Sequence, residues 1–224
     1  MWRIPGLTFL HLLLPLGSVA AQLCAGVQSF AGRPVQLWGF GTITSGSHLG
    51  SYGGGVRLIG GRAAFGDVEL GASHTDAYGG LSWLIGTAAA YQVSLNKTGT
   101  VQLCPAASVG FVLGPKNIYG SGQDFSETNA SAGAAIGVLA SHSTQIDVVP
   151  TASLIFEHSN QKFKDNLSGT TTSASASFEV IELGLGLVHR HQLTLKPSLA
   201  IPVGLPDGSA YFTVVLAYSV GAPQ

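Results

Sequence analysis

The sequence predicts an all-β protein, an up-and-down antiparallel transmembrane β-barrel of about ten strands. Three observations lead to this fold class. Apolar residues alternate with small or polar residues over most of the chain after Gln22, as in strands with two different faces. Only 9% of the residues are charged, whereas a typical globular domain has about 25%, and the mean hydropathy is +0.36. No apolar run after Gln22 is long enough for a transmembrane helix, and a closed barrel is the other structure that satisfies every backbone group in lipid.

The first 21 residues have the three parts of a secretory signal peptide. Arg3 supplies the positive charge, residues 7–16 form a short apolar core, and Val19-Ala20-Ala21 is a small-residue cleavage site. The alternative is an N-terminal membrane anchor, but an apolar core of roughly ten residues is too short to span a bilayer as a helix. We therefore expect a signal peptide at 1–21, an N-terminal periplasmic segment at 22–33 and the barrel domain at 34–224.

Ten segments of the mature chain show the alternation that is typical of strands. In 101–113 the odd positions are mostly large and apolar, and the even positions are mostly small or polar. Most segments reach the 9 to 11 residues that a tilted strand needs to cross a bilayer. Eight strands would require the loss of a hairpin, and twelve would require splitting a long loop. The predicted strands are 34–45, 49–60, 62–74, 79–94, 100–114, 127–141, 144–158, 174–189, 191–204 and 209–220.

The connections between the predicted strands differ in length according to their parity. Those after even-numbered strands are short, for example at 96–99 and around Arg190. The odd-numbered series includes two long polar loops, 115–127 and 158–173. Membrane barrels of the outer-membrane type have short periplasmic turns and longer extracellular loops, whereas a soluble β-sandwich has no reason to place its long loops at one end. The loop pattern therefore favours the membrane barrel.

Three prolines recur in apolar stretches at steps of 45 and 47 residues: Pro105, Pro150 and Pro197. Proline has no N–H to donate, so a central strand normally excludes it. Each of these prolines follows a short turn by a few residues and lies on the apolar face of an odd-numbered predicted strand. We expect the repeated unit to be one hairpin, with the prolines near the periplasmic rim, where a bulge or a frayed ladder spares one donor.

The final predicted strand alternates as well, with apolar residues at Ala210, Phe212, Val214, Leu216, Tyr218 and Val220. With its signal peptide, alternation, loop parity and last strand, the mature chain resembles the bacterial outer-membrane β-barrel superfamily of small porin-like and opacity-type barrels. The resemblance implies the outer membrane of a Gram-negative-type bacterium as the location. It also implies outer-membrane lipid and the barrel-assembly machinery as partners, and an extracellular ligand or surface for the loops. Members commonly end on an aromatic residue, whereas this chain continues past Val220, which leaves Tyr218 to serve as the assembly signal.

Six charged residues fall on the small and polar face, which we expect to point into the lumen. They suggest a network of salt bridges that fixes the strand register and plugs the pore, or a narrow polar path for solutes. Fold support is the favoured role because a ten-stranded barrel is narrow, and wide aqueous channels need about 16 strands. The six residues are Arg57, Asp67, Glu69, Asp147, Glu182 and Lys196.

The chain has two cysteines, Cys24 and Cys104. In an exported protein they suggest one disulfide, which would tie the N-terminal segment across the periplasmic mouth and add about 3 to 5 kcal/mol by closing a long loop. Two free thiols are the alternative. A redox-active pair is disfavoured because the cysteines lack CxxC spacing.

The sequence shows no catalytic, metal or cofactor motif: HExxH and GxSxG are missing, and GxGxxG does not occur between a strand and a helix. A net charge of −1 argues against nucleic acid as a partner. We therefore expect a non-enzymatic barrel, closed or with a narrow pore, whose two long extracellular loops make surface interactions. One alternative is a soluble exported lipocalin-like barrel that binds a small apolar ligand inside. The other is an outer-membrane hydrolase that modifies lipid A with Ser and His residues on the barrel wall.

Overall fold

The chain forms a closed antiparallel barrel of ten strands with two short additional strands, which confirms the predicted fold class. The structure is a computed structural model that describes residues 35–44, 50–61, 63–76, 79–118, 122–143, 145–190, 192–204 and 209–220. The predicted signal peptide and periplasmic segment lie outside these residues and stay predictions. No helix in the described ranges is long and apolar enough to cross a membrane.

The barrel closes because its first strand pairs with its last, from Val35 opposite Val220 to Thr44 opposite Tyr211. Every other barrel strand pairs with the barrel strands next to it in the sequence. The barrel strands are β1 Val35–Thr44, β2 Gly50–Gly61, β3 Ala64–Thr75, β4 Gly80–Tyr91, β6 Val101–Leu113, β7 Gln123–Val138, β9 Ile146–Asp165, β10 Thr171–His189, β11 Leu193–Val203 and β12 Tyr211–Val220; the short strands are β5 Val93–Ser94 and β8 Ser141–His142.

The two ends of the barrel differ. We call the end where β1 begins and β12 ends the terminus end, and the opposite end the loop end. The longest strands of the barrel are β7, β9 and β10, with 16, 20 and 19 residues, and they extend farthest at the loop end. The prediction that 158–173 is a loop was therefore wrong for most of that segment, because Lys164 pairs with Thr171 and only 166–170 turns. The loop predicted at 115–127 is also shorter, since β7 begins at Gln123.

The large apolar side chains point away from the barrel. Leu58, Leu70 and Leu183 are 56%, 58% and 51% exposed, and they represent a band of exposed apolar residues that runs around the wall. A lipocalin-like barrel has the reverse arrangement, with its apolar face inside. The soluble ligand carrier considered from the sequence is therefore wrong. An apolar outer wall is what a barrel presents to lipid.

All three repeated prolines interrupt the ladder with the preceding strand near the terminus end, as expected from their lack of an N–H. At Pro105 the gap in strand pairing separates β4 from β5. At Pro150 the gap separates β7 from β8, and the β7–β8 side contains one residue more than the β9 side, which makes a bulge. The pairs on either side of each gap are Ala90 with Ala106 and Val93 with Leu103 at Pro105, Gly137 with Thr151 and Ser141 with Val148 at Pro150, and Gly184 with Ser198 and Leu187 with Leu195 at Pro197.

The interior is packed most tightly at the terminus end. The largest fully buried side chains all lie on the inward face, within four residues of the point where their strand reaches this end. Two of them make contact across the junction of β1 and β12, where Gln36 Nε2 donates to Ser219 Oγ at 3.5 Å. Side chains therefore fill the lumen at the terminus end. These side chains are Gln36, Gln102, Asp147, Val149, Val188, Thr194 and Ser219.

Candidate functional site

Three of the six predicted lumen charges meet on the wall formed by β2 and β3. The Arg57 guanidinium donates to Glu69 Oε2 from Nη2 at 2.7 Å and from Nε at 3.2 Å, and its Nε lies 3.7 Å from Asp67 Oδ2. Its Cζ also lies 5.8 Å from the ring centre of Trp38, in cation–π contact. We call these four residues the Arg57 cluster. The register explains the ion pair, because Arg57 lies directly opposite Glu69 in the ladder.

Glycines on neighbouring strands make room for the Arg57 cluster. A Cβ at Gly71 would lie 2.8 Å from the Gly54 carbonyl oxygen and 3.3 Å from Trp38 Cζ2, and a Cβ at Gly86 would lie 2.8 Å from Glu69 Oε1. Gly86 pairs with Glu69 on the side away from Arg57. The space that a side chain would take is thus used by the indole ring and by the carboxylate. The sequence alone did not identify Trp38 as part of this cluster.

A second ion pair stands on the β10 and β11 wall. Lys196 Nζ lies 3.0 Å from Glu182 Oε1, and both side chains are mostly buried, at 20% and 25% exposure. This pair borders a lumen cavity of about 270 Å³, whose other walls carry small side chains such as Ala106, Ser108 and Ser131. The small side chains therefore leave open space in the lumen next to the ion pair.

The remaining predicted residues lie near the terminus end. Asp147, only 2% exposed, approaches His142 of the short strand β8, with Oδ1 at 2.6 Å from Nδ1. The structure thus divides the six charges into the Arg57 cluster, the Glu182 and Lys196 pair, and Asp147 beside His142. Cys104 is buried on the inward face of β6, at 3% exposure. Cys24 lies outside the described residues, so the disulfide stays a prediction.

At the loop end, hydrogen bonds connect the β6–β7 connection to the β9–β10 turn. Asp124 Oδ1 accepts from Asn166 Nδ2 at 2.9 Å and from the backbone N–H of Asn117 at 3.1 Å. These two bonds, the Asn166 bond most strongly, lower the pKa of the Asp124 carboxyl. In the turn itself, the backbone N–H groups of Ser168 and Leu167 bond to Asp165 Oδ1 and lower the pKa of that carboxyl.

The outer wall at the loop end contains a hollow of about 630 Å³ that no pattern in the sequence indicates. Its apolar part is formed by three exposed side chains of β4 and β6, among them Trp83 at 61% exposure. Three exposed lysines and Asp124 border it. We call this site the lysine hollow. Its defining residues are Leu81, Trp83, Leu113, Lys116, Lys162 and Lys164.

A serine and a histidine also meet on the outer wall. His158 Nδ1 lies 2.8 Å from Ser177 Oγ, and the two residues are paired across β9 and β10. Both side chains are exposed. Within the described ranges, no carboxylate lies within 4.0 Å of either ring nitrogen of His158. No group of three or more His, Cys, Asp and Glu residues that could hold a metal ion occurs in that part of the chain.

No family model and no curated protein sequence matches the chain. Solved structures do match it. The translocator domain of the autotransporter NalP from Neisseria meningitidis matches at a TM-score of 0.47 with 14% identity, over 84% of this chain and 88% of that chain. The N-terminal β-barrel domain of Pseudomonas aeruginosa OprF matches at 0.34 with 14% identity, over 84% and 99%. The attachment invasion locus protein Ail of Yersinia pestis matches at 0.34 with 11% identity, over 84% and 98%.

The architecture of the chain itself identifies its fold family. Ten antiparallel strands close into a barrel, so no edge is left unpaired. The large apolar side chains lie on the outside, where a lipid bilayer would cover them. The chain therefore has the fold of a transmembrane β-barrel of the outer-membrane type.

Proposed function

We propose that the chain is a non-enzymatic integral outer-membrane barrel that is closed or nearly closed to solutes. Its loop end faces outside and contacts an external ligand or surface. The observation that carries this proposal is the unequal length of the strands. β9 and β10 contain 20 and 19 residues, whereas β1–β4, β6, β11 and β12 contain 10 to 13. Because about 9 to 11 residues cross a bilayer, the β9–β10 hairpin extends well beyond it.

The tip of this hairpin has an ordered turn with an apolar apex. Asp165 accepts two backbone N–H groups, and the Gly169 N–H donates to the Asp165 carbonyl oxygen at 2.9 Å. Gly169 has a φ of 71°, which favours glycine there. The Leu167 side chain at the apex is 94% exposed. A fixed backbone that presents a single apolar side chain is suited to contact with another surface.

A closed lumen agrees with the packing of the interior. The fully buried side chains concentrate at the terminus end, and the two ion pairs lie on different strand pairs of the wall, β2 with β3 and β10 with β11. A barrel of ten strands is narrow in any case. We expect the mature protein in planar bilayers to show no steps of the size given by a 16-stranded porin, and large regular steps would contradict the closed lumen.

The orientation is tested by epitope display. A tag inserted between Leu167 and Ser168 should bind antibody on intact cells. The matched control tag, inserted between Lys97 and Thr98 at the terminus end, should bind only after the outer membrane is opened. Antibody access to the Lys97 tag alone on intact cells would reverse the proposed orientation.

The contact function is tested by adhesion. Cells that display the barrel should adhere to an epithelial monolayer more than cells without it, and Leu167→Ser should lower that adhesion. Leu95→Ser is the matched control, because Leu95 is also exposed, at 51%, but lies at the terminus end. Equal loss of adhesion with both variants, or no loss with Leu167→Ser, would contradict a role for the hairpin tip.

A second candidate function rests on the hydrogen bond between His158 and Ser177. A histidine that takes the serine proton is the basis of serine hydrolases, and an outward site would meet lipid. Among the residues that the structure describes, no carboxylate contacts this histidine to orient it as in a catalytic triad, so this candidate ranks second. If it applies, cells with the wild-type chain will lose acyl chains from lipid A, and Ser177→Ala will abolish the loss; identical lipid A masses would exclude it.

A further inference from the structure

We propose that the lysine hollow binds the phosphorylated headgroup of a lipid in the outer leaflet, with the acyl chains of that lipid against Leu81, Trp83 and Leu113. The inference rests on the proposed orientation, in which the loop end faces outside. It adds a specific lipid site to the barrel wall and names the chemistry that the site recognises, an amphiphile with phosphate groups.

The first support is the charge of the hollow. Lys116, Lys162 and Lys164 are exposed and border the same space. Among the described residues, none of their ammonium groups lies within 4.0 Å of a carboxylate. In the described part of the chain, Asp124 is the one carboxylate that borders the hollow, and its Oδ1 already accepts hydrogen bonds from the Asn117 N–H and Asn166 Nδ2. Three cations beside one bonded carboxylate attract an anion.

The second support is the strand register, which joins the apolar and cationic parts. Trp83 pairs with Leu113, Leu113 with Ser126, and Ser126 with Lys162, in one line across four neighbouring strands. At about 4.8 Å between strands, this line is about 14 Å long. Lys164 lies two residues beyond Lys162 on the same face, about 7 Å farther along the strand. The lysines thus adjoin the exposed apolar surface.

The third support is the kind of ligand that this arrangement fits. A free phosphate ion would use the lysines but would gain nothing from the exposed Leu81, Trp83 and Leu113 side chains. A lipid with a phosphorylated headgroup uses both parts at once, because flexible lysine side chains can extend toward the headgroup level while their stems cover apolar surface. The apolar floor therefore favours a lipid over a soluble anion.

The test uses the folded full mature chain in detergent micelles. Native mass spectrometry reports binding of three probes: lipid A that carries two phosphates, the same lipid without phosphate, and inorganic phosphate. We expect lipid A with phosphates to bind best. Each Lys→Gln change at 116, 162 or 164 should weaken that binding about fivefold, and the triple variant should weaken it at least tenfold. Lys97→Gln at the terminus end is the matched control and should bind as the wild type does.

The inference is overturned if lipid without phosphate binds equally well, if inorganic phosphate saturates the site as effectively as the lipid, or if the triple variant keeps wild-type affinity. The mobility shift of the unboiled protein on gels verifies that each variant is folded. If the triple variant does not fold, the affinities of the three single variants decide the question. Epitope display measures the orientation separately. If the tag at Leu167 binds antibody on intact cells but lipid binding does not depend on phosphate, the lipid site is refuted and the proposed orientation stands.

Discussion

The Arg57 cluster gives the most direct test of the interior, through the change Arg57→Met. Methionine keeps much of the side-chain length and removes the charge, so Glu69 and Asp67 are left as neighbouring carboxylates without their cation. Arg57 makes two charge-assisted contacts with Glu69, at 2.7 and 3.2 Å, and hydrogen bonds to charged groups contribute about 1.5 to 3 kcal/mol. Because the Arg57 and Glu69 side chains are 30% and 28% exposed, water screens part of this interaction.

We therefore expect Arg57→Met to lower the free energy of unfolding by about 2 kcal/mol. The assay is urea unfolding of the protein refolded in lipid vesicles, followed by tryptophan fluorescence. A double-mutant cycle with Glu69→Met should give a coupling energy of about 1 to 2 kcal/mol. Lys97→Met, in the turn between β5 and β6, is the control and should change stability by less than about 0.5 kcal/mol. A zero coupling energy, or equal stability of the Arg57 variant and the wild type, would refute the assigned ion pair.

Three further predictions concern other parts of the barrel. Gly86→Ala should destabilise the protein by about 1 kcal/mol in the same assay, because the new Cβ would displace the Glu69 side chain. Gly110→Ala on the neighbouring strand is the control and should destabilise it less, since the atom nearest to that Cβ would be 3.8 Å away. Equal losses of stability would contradict the close approach of Glu69 to Gly86. The pKa of Asp165 is lowered from 3.8 in the folded chain, so its contribution to the tip turn is present above that value and is lost as the pH falls below about 4. The NMR signals of the Leu167 and Ser168 amides should therefore change in this pH range. Asp165→Asn should remove this pH dependence. Pro197→Val restores an N–H opposite β10, and we expect the new amide at position 197 to be protected from hydrogen exchange, whereas rapid exchange would show that the gap has another cause.

The membrane-spanning part of the barrel was predictable because the bilayer imposes a local rule on the sequence. In β6, residues that face lipid must be apolar, and those that face the lumen are small or polar, so the segment 100–114 was predicted within one residue of Val101–Leu113. The same rule explains the error at 158–173. At the loop end most side chains of β9 and β10 are polar, so both strands continue there without apolar alternation. The polar sequence therefore suggested a loop where paired strand continues.

By itself, the sequence determined the fold class and the outward position of the apolar face, because alternation with period two assigns each residue to a face. Only the tertiary structure decided which charged side chains meet. The strand register places Arg57 opposite Glu69. The adjacency of β6, β7 and β9 brings Lys116 and Lys162 to one hollow from positions far apart in the chain. The physical reason is that face is a local property of a strand, whereas contact between strands depends on register and closure, which the whole barrel sets together.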